Sequence, residues 1–251
     1  MQQRTLGHDS EMGLSQGGEI VSALDVFNEE VFEDEHGRYF ADNMNCEIAI
    51  NPVSTLADFH KKTEGLLNHI RDRGLTPVME QVIRYPERCM KHPLSMVSGC
   101  DPDFSAYFQE KNLAPDFTQL DSVRSCGGHM HASLDGASPY WYARWMDALV
   151  ALPLLKFEQN TGRRELYGKA GCLREKPYGG EYRTLSNVWV EDPARREFVW
   201  EMTNKAAELA KTTDPATIDE WWDIPTAIDT HDLDLAQKCI DRLHIFGGTQ
   251  L

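Results

Sequence analysis

The chain has no run of about 20 consecutive apolar residues, the length that a transmembrane helix needs. Basic residues are also scarce, with 25 Lys and Arg against 40 Asp and Glu, and the formal net charge is −15. We expect no direct nucleic-acid patch, because phosphate contacts need clustered Lys and Arg. A nucleotide ligand needs only a local basic pocket, and clustered carboxylates favour bound metal ions. We therefore predict neither a membrane span nor a nucleic-acid partner.

Several sequence motifs are also missing. The six cysteines are scattered over 251 residues without a CxxC pair, and a chain of this length can bury a core without disulfides. We therefore expect reduced thiols, and the amino terminus lacks the apolar segment of a signal peptide. The motif GxxxxGK[ST] is absent, which excludes a P-loop, and the absence of GxGxxG after a strand argues against a dinucleotide-binding fold. There is no HExxH motif either.

Strand-like and helix-like patterns alternate along the chain without an internal repeat or a long linker. Alternating patterns predict strands over residues 5–14, 20–27, 38–50, 75–85, 120–134 and around 181–183. Helical spacing predicts helices over 55–73, 140–160 with a kink or break at Pro153, 192–211 and 231–244. The polar stretch from 100 to 121 is predicted to be a lid or binding loop. Because the first strand starts so close to the terminus, we expect no sizeable domain before it.

Four of the predicted strands place polar side chains on one face, because residues two apart share a face of a strand. These pairs are Asp9/Glu11, Asn45/Glu47, His129/His131 and Glu181/Arg183. Neighbouring carboxylates repel each other unless a cation or a base neutralises them. The four pairs together predict a concave antiparallel sheet with an acidic cavity that contains histidine and is rimmed by arginine. Oxygen donors with one histidine suit Mg²⁺ or Mn²⁺ better than Zn²⁺.

Cationic residues concentrate among glycines between positions 161 and 190 of this acidic chain. They are Arg163, Arg164, Lys169, Arg174, Lys176 and Arg183. A basic, glycine-rich segment of this kind is what an anionic ligand such as a triphosphate requires. The glycines at 127 and 128, just before the two histidines, would let a phosphate or another backbone come close.

The chain resembles the phage-type carboxylate–amine ligases (COOH-NH2 ligase type 2 amidoligases) of the glutamine synthetase and gamma-glutamylcysteine ligase superfamily. The blocks that carry the resemblance are LGHDSEMGL, DNMNCEIAINP, SGCDPDF, SCGGHMHASL and LYGKAGCLREKPYGGEYRTLSNVWV, which together span residues 5–190. The resemblance implies an α+β fold, a curved antiparallel β-sheet with helices on its convex face. It also implies a single catalytic domain over 1–251, with a core over 5–190 and a helical C-terminal part over 191–251.

The resemblance implies a role for each candidate residue. The ligands of two or three Mg²⁺ (or Mn²⁺) ions would be Asp9, Glu11, Glu47, His129 and Glu181. Asp9 stands where glutamine synthetases have Glu. The residues along the ATP phosphates would be His131, Lys169, Arg174 and Arg183. The residues on the substrate side would be Asn43, Asn45 and Arg164. The residues with catalytic roles would be Glu47, His131, Arg174 and Arg183.

The implied reaction is ATP-dependent formation of an amide or peptide bond through an acyl phosphate. Its partners would be small-molecule or peptide carboxylates and amines, in the cytoplasm (of a bacterial host if a phage encodes the chain). The small domain that precedes the catalytic domain in glutamine synthetase is absent, so we expect a monomer or small homo-oligomer rather than a ring. Three alternatives stay open: a guanido kinase-like phosphotransferase of the same superfamily, a degenerate nucleotide-binding domain, and a Zn²⁺ hydrolase that needs no ATP.

Overall fold

The structure is a computed structural model that describes residues 4–96, 103–112, 122–159, 162–214 and 223–243. Its strands are β1 (Leu6–Gln16), β2 (Glu19–Val21), β3 (Phe32–Glu33), β4 (Gly37–Asp42), β5 (Asn45–Ile50), β6 (Thr76–Val78), β7 (Val82–Arg84), β8 (Phe104–Ser105), β9 (Val123–Ser125), β10 (Gly128–Ser133), β11 (Cys172–Lys176) and β12 (Gly179–Tyr182). Its α-helices are α1 (Ala23–Phe27), α2 (Leu56–Asp72), α3 (Pro139–Met146), α4 (Leu152–Leu154), α5 (Arg163–Leu166), α6 (Pro193–Thr212), α7 (Asp223–Thr230) and α8 (Leu233–Leu243).

Ten of these strands form one sheet in which the described pairings are antiparallel. The strand order is β3-β4-β5-β1-β10-β12-β11-β8, and β2 and β6 pair with the far end of β1. The remaining strands, β7 and β9, pair with each other. Strand β1 therefore lies at the centre, between β5 and β10. The predicted α+β class with a large antiparallel sheet is confirmed.

Apolar and polar residues alternate along β1, so one face of the sheet is covered by the core and the other presents polar side chains. Leu6, Met12 and Leu14 are fully buried in the hydrophobic core. His8 lies on the same face, where its Nε2 is 2.9 Å from the hydroxyl of Thr63 on α2. Helix α2 packs against this face, and the odd-numbered residues of β1 project from the opposite one.

Helix α2 forms as its sequence predicts. The Thr55 hydroxyl accepts a hydrogen bond from the Asp58 N–H at 3.1 Å, which satisfies one of the free donors at the helix start. The apolar stripe of α2 is buried, with Phe59 and Ile70 both at 0% exposure. The predicted helix over 55–73 is confirmed.

Four predicted strands differ in the structure, and the one over 120–134 is split into β9 and β10, which belong to different sheets. The strand predicted over 20–27 is wrong beyond Val21, because α1 begins at Ala23 and its apolar residues at helical spacing turn towards the core. The single strand over 38–50 is the hairpin β4–β5, since Asn43 adopts a left-handed φ of 54° at the turn. The strand over 75–85 is two short strands, β6 and β7.

The helical predictions in the second half need smaller corrections. The helix predicted over 140–160 is interrupted by a π-helical turn at Asp147–Ala151, before Pro153. The region from 212 to 230, which none of the predicted helices covers, contains α7. The final helix ends at Leu243 within the described residues, and most of the predicted loop over 100–121 lies outside them.

One hydrophobic cluster extends from Leu6 on β1 to Leu243 on α8. The five cysteines in the described part of the chain are all free thiols and buried, as expected. Among the described helices, none is long and apolar enough to cross a membrane.

Candidate active site

The polar face of the sheet is organised across β1. Asp9 lies opposite His129 of β10, and Glu11 lies opposite Glu47 of β5. Directly opposed side chains on antiparallel strands lie within about 5.5 Å of each other at Cβ. The backbone register therefore brings together polar residues that are distant in sequence, on the shared sheet face that their period-two spacing predicts.

The histidine cluster consists of Asp9, His129 and Glu181, which can each place one donor atom within 4.8 Å of the others. Asp9 Oδ1 lies 3.2 Å from His129 Nδ1, and Asp9 Oδ2 lies 3.0 Å from His131 Nε2. Burial raises the pKa of Asp9, but the hydrogen bonds from the two histidines outweigh it and hold that pKa well below its ordinary value. Asp9 is therefore ionised at neutral pH, and the cluster offers carboxylate and imidazole donors.

Gly127 allows His129 to take this position. A Cβ at position 127 would lie 2.2 Å from His129 Nε2, which is far inside contact distance. The same nitrogen is buried and makes no hydrogen bond to the described residues. Burial, followed by the charge of Arg183, lowers the pKa of His129, so the imidazole is neutral at neutral pH. A neutral imidazole is the form that binds a metal ion.

The carboxylate cluster consists of Glu11, Asp42 and Glu47, whose oxygens also come within 4.8 Å of one another. Burial and then the charge of Asp42 raise the pKa of Glu11 to about 7. Burial and the charges of Asp9 and Asp42 raise the pKa of Glu47 well above its ordinary value. Protons or a cation must relieve this repulsion, and an all-oxygen donor set suits Mg²⁺ or Mn²⁺. The chemistry of both clusters thus fits a divalent cation.

A cationic edge borders the histidine cluster on the hairpin β11–β12. It consists of Arg174, Lys176 and Arg183. Lys176 Nζ lies 2.8 Å from Glu181 Oε2, Arg174 Nη1 lies 3.6 Å from Glu181 Oε1, and Arg183 Nη1 donates to Glu181 Oε1. Burial raises the pKa of Glu181, but the charges of Arg183, His129 and His131 together outweigh it and lower that pKa to about 2. These positive groups gather where an anionic ligand would meet the carboxylates.

Arg183 is nearly buried, at 5% exposure, and neighbouring side chains fix its orientation. Its Nε donates to the Tyr167 hydroxyl and lies 3.7 Å from Asp103 Oδ2. The Asn112 side-chain amide donates to Asp103 Oδ1 at 2.8 Å and so holds that carboxylate in place. The guanidinium is therefore oriented before any ligand arrives, which lowers the entropic cost of using it.

His131 lies between Asp9 of the histidine cluster and a cavity of about 400 Å³. Its Nδ1 lies 2.6 Å from the Tyr178 hydroxyl. A neutral His131 that donates from Nε2 to Asp9 accepts from Tyr178 at Nδ1. The cavity is lined by Thr5, Gly7, His8, Asp9, Glu33, Arg38, Ala49, Ile50, Asn51, Pro52, His131, Ala132, Ser133 and Tyr178. It is large enough for part of a substrate beside Asp9.

The two asparagines predicted on the substrate side make hydrogen bonds within the protein. The Asn43 side chain donates to the Leu94 carbonyl at 2.6 Å and accepts from Arg124 Nε at 3.0 Å. The Asn45 amide donates to the Ser125 carbonyl at 2.8 Å and accepts from a tyrosine hydroxyl at 2.9 Å. Both side chains hold the β4–β5 turn to neighbouring segments. That they also face the substrate stays a prediction.

Two other predicted cations, Arg164 and Lys169, have partners outside the cationic edge. Arg164 is 3% exposed and makes a bidentate ion pair with buried Glu158, at 2.9 and 3.0 Å. Lys169 is exposed, and its charge, like that of Arg164, acts on Asp229 of α7. Arg164 is therefore a structural residue of the core, and the described contacts do not bring Lys169 to the cationic edge.

Sequence patterns alone assign no role to Asp42, Lys176 or Tyr178. Asp42 shares a strand face with Glu47 only because β4 folds back on β5, with Asp42 opposite Asn45. The Asp-Asn pair before Met44 is a turn signal that could have revealed this hairpin. Lys176 lies two residues after Arg174 on β11, the same spacing that identified the other pairs.

Residues 122–217 match the model of the family described as Phage phiEco32-like COOH.NH2 ligase-type 2. This segment contains the histidine strand β10 and the cationic edge, and the match confirms the resemblance to phage-type carboxylate–amine ligases. Among solved structures, the chain is similar to one described as a novel glutamine synthase homolog, with 12% identity, a TM-score of 0.43 and coverage of 97% of this chain and 67% of that chain. It is also similar to apo GmaS without ligand, with 12% identity, a TM-score of 0.37 and coverage of 95% and 63%. No curated protein matches.

Proposed function

We propose that this chain, with its carboxylate–amine ligase family segment over 122–217, is an ATP- and Mg²⁺-dependent ligase that joins a carboxylate to an amine. The observation that carries the proposal is the pairing of two metal-competent clusters with a cationic edge on one sheet face. Phosphoryl transfer from ATP needs this combination, because catalysis depends on positioning and on neutralising phosphate charge. An acidic cluster alone would not bring positive side chains to the same place.

The residues that would hold the metal ions are those of the two clusters. Asp9, His129 and Glu181 would hold one ion, and Glu11, Asp42 and Glu47 would hold another. Bound Mg²⁺ neutralises phosphate oxygens and so makes the terminal phosphate of ATP easier to attack. This assignment adds Asp42 to the ligands predicted from sequence and divides the others into two groups.

The cationic edge would bind the phosphates of ATP. Arg174 and Arg183 would stabilise the transferring phosphoryl group, and Lys176 would add a third positive charge. All three contact Glu181, so a phosphate would compete with this carboxylate for them. His131 would lie beside the phosphate, since it already connects Asp9 to Tyr178 and the cavity.

The chemical logic follows from the substrates. A free carboxylate resists attack by an amine because its oxygen is a poor leaving group. Transfer of the terminal phosphate of ATP to that oxygen forms an acyl phosphate and releases ADP. The amine nitrogen then attacks the acyl carbon, phosphate leaves, and an amide or peptide bond remains. Phosphate release that requires an amine distinguishes this reaction from a guanido kinase-like transfer, which keeps the phosphate on its acceptor.

The experiment is a screen of amine and carboxylate pairs with the full chain, ATP and Mg²⁺, in which ADP and phosphate are measured and the product is identified by mass. We expect ADP and phosphate to appear only when the amine and the carboxylate are both present. Glu47→Gln should reduce the rate of ADP release at least tenfold. Glu197→Gln, an exposed change on α6, is the matched control. A constant ATPase rate that no substrate alters would contradict ligation, and ADP without phosphate would indicate phosphotransfer.

We further propose that residues 1–251 act as one catalytic domain in the cytoplasm, where ATP is available. The continuous hydrophobic cluster from Leu6 to Leu243 supports the single domain. Small-molecule or peptide substrates and a monomer or small homo-oligomer remain our prediction.

A further inference from the structure

A second group of metal-binding side chains lies outside the candidate active site. Asp34 and His36 are on the loop between β3 and β4, and His69 is near the end of α2. Each can place one donor atom within 4.8 Å of the other two. The group lies before the start of β4, and Asp42 ends that strand, about 17 Å away for a six-residue strand. It therefore shares no ligand with the two clusters on the polar face.

The spacing of two of these donors already matches a metal site. Asp34 Oδ2 lies 3.4 Å from His69 Nδ1. Tetrahedral Zn²⁺ with ligand bonds of about 2.0–2.1 Å separates its ligand atoms by about 3.3–3.4 Å. The other oxygen, Asp34 Oδ1, accepts a hydrogen bond from the His36 N–H at 2.8 Å and fixes the loop. That bond orients Asp34 so that its second oxygen meets the helix.

A glycine on α2 lets the third side chain approach. A Cβ at position 65 would lie only 2.5 Å from His36 Cδ2, so the imidazole of His36 rests directly on the helix at Gly65. Gly65 is four residues before His69 and therefore one turn away on the same face. The two imidazole rings consequently lie side by side, with centroids 5.8 Å apart. An ordinary surface ion pair would involve only Asp34 and His69 and would not require the space that the missing side chain of Gly65 leaves.

We propose that Asp34, His36 and His69 form a binding site for a divalent transition-metal ion such as Zn²⁺, with water completing the coordination. Two imidazoles and one carboxylate favour Zn²⁺ over Mg²⁺, which prefers oxygen donors. The side chains of His69 and Asp34 are 39% and 33% exposed, so an ion can enter from solvent. A bound ion would tie the β3–β4 loop to α2.

The test is Zn²⁺ binding to the full chain, measured by isothermal titration calorimetry and by the shift of the thermal unfolding midpoint. The His36→Ala/His69→Ala double variant should bind Zn²⁺ at least tenfold more weakly at this site and lose the matching shift. His60→Ala, a histidine change on the same helix, is the matched control and should behave as the wild type. Circular dichroism checks that each variant is folded.

Two further variants separate this site from the active site. Gly65→Ala keeps all three ligands but displaces the His36 ring, so it should also weaken Zn²⁺ binding. Glu47→Gln alters the carboxylate cluster and should leave this Zn²⁺ site intact. The proposal is overturned if the double variant binds Zn²⁺ like the wild type, or if Glu47→Gln removes all Zn²⁺ binding. It is also overturned if the wild type shows no saturable Zn²⁺ binding.

Discussion

Asp42→Asn should change stability in opposite directions with and without Mg²⁺. Asp42 is the second-largest cause, after burial, of the raised pKa of Glu11, which is about 7 instead of 4.5. That whole shift corresponds to roughly 3 kcal/mol, and we assign about 1 kcal/mol of it to Asp42. Without metal, at a pH above 7, the variant should therefore be more stable than the wild type by about 1 kcal/mol, because a buried like charge is gone.

With Mg²⁺ the order should reverse. A ligand at a hundredfold excess over its Kd stabilises a protein by about 2.7 kcal/mol, which for a chain of this size raises Tm by roughly 5–11 °C. Asp42→Asn removes one of three carboxylates from the cluster and should lose much of that rise. Thermal or urea unfolding at pH 8, in EDTA and in saturating Mg²⁺, measures both effects.

The sign of the metal-free effect is the decisive result. The folded-state pKa of Glu11 is raised, so the free energy of unfolding falls as pH rises from about 4.5 to about 7 and stays lower above it. Asp42→Asn should flatten part of this fall. Asp72→Asn, an exposed change at the end of α2, is the matched control. A variant that is less stable than the wild type without metal, or that keeps the full Mg²⁺ shift, would refute the reasoning.

Three other predictions concern positions outside the carboxylate cluster. Gly127→Ala should reduce ligase activity at least tenfold, measured as ADP release, while circular dichroism stays unchanged, since its Cβ would meet His129 Nε2 at 2.2 Å. Burial raises the pKa of Asp147 to about 7, so this residue makes the free energy of unfolding fall between pH 4 and pH 7. Asp147→Asn should reduce that fall by up to about 4 kcal/mol. A variant with the same pH profile of stability as the wild type would contradict this. Arg164→Ala should lower the free energy of unfolding in urea by about 3–5 kcal/mol, because it removes the arginine partner of the buried Glu158 carboxylate. Unchanged stability would contradict a structural role for Arg164.

The alternation of polar and apolar residues largely determined the central strands and their polar face. Asp9, Glu11, His129 and Glu181 each lie where period-two spacing predicts, because a strand allows only two side-chain directions. The apolar stripe and Thr55 cap of α2 likewise follow from local sequence alone. These features depend on residues that are neighbours in the chain.

Only the tertiary structure decided which side chains meet and which are already occupied. Asp42 joins Glu47 through the β4–β5 hairpin, while Asn45 and Arg164 have the right chemistry but are taken by Ser125 and Glu158. Residues 23–27 of the strand predicted over 20–27 form α1 instead, and as a helix they bury Ala23, Leu24 and Phe27. Local patterns fix the direction of a side chain, but its partners depend on segments that are far apart in sequence. Whether a polar group binds a ligand or another part of the protein is therefore settled only when the chain has folded.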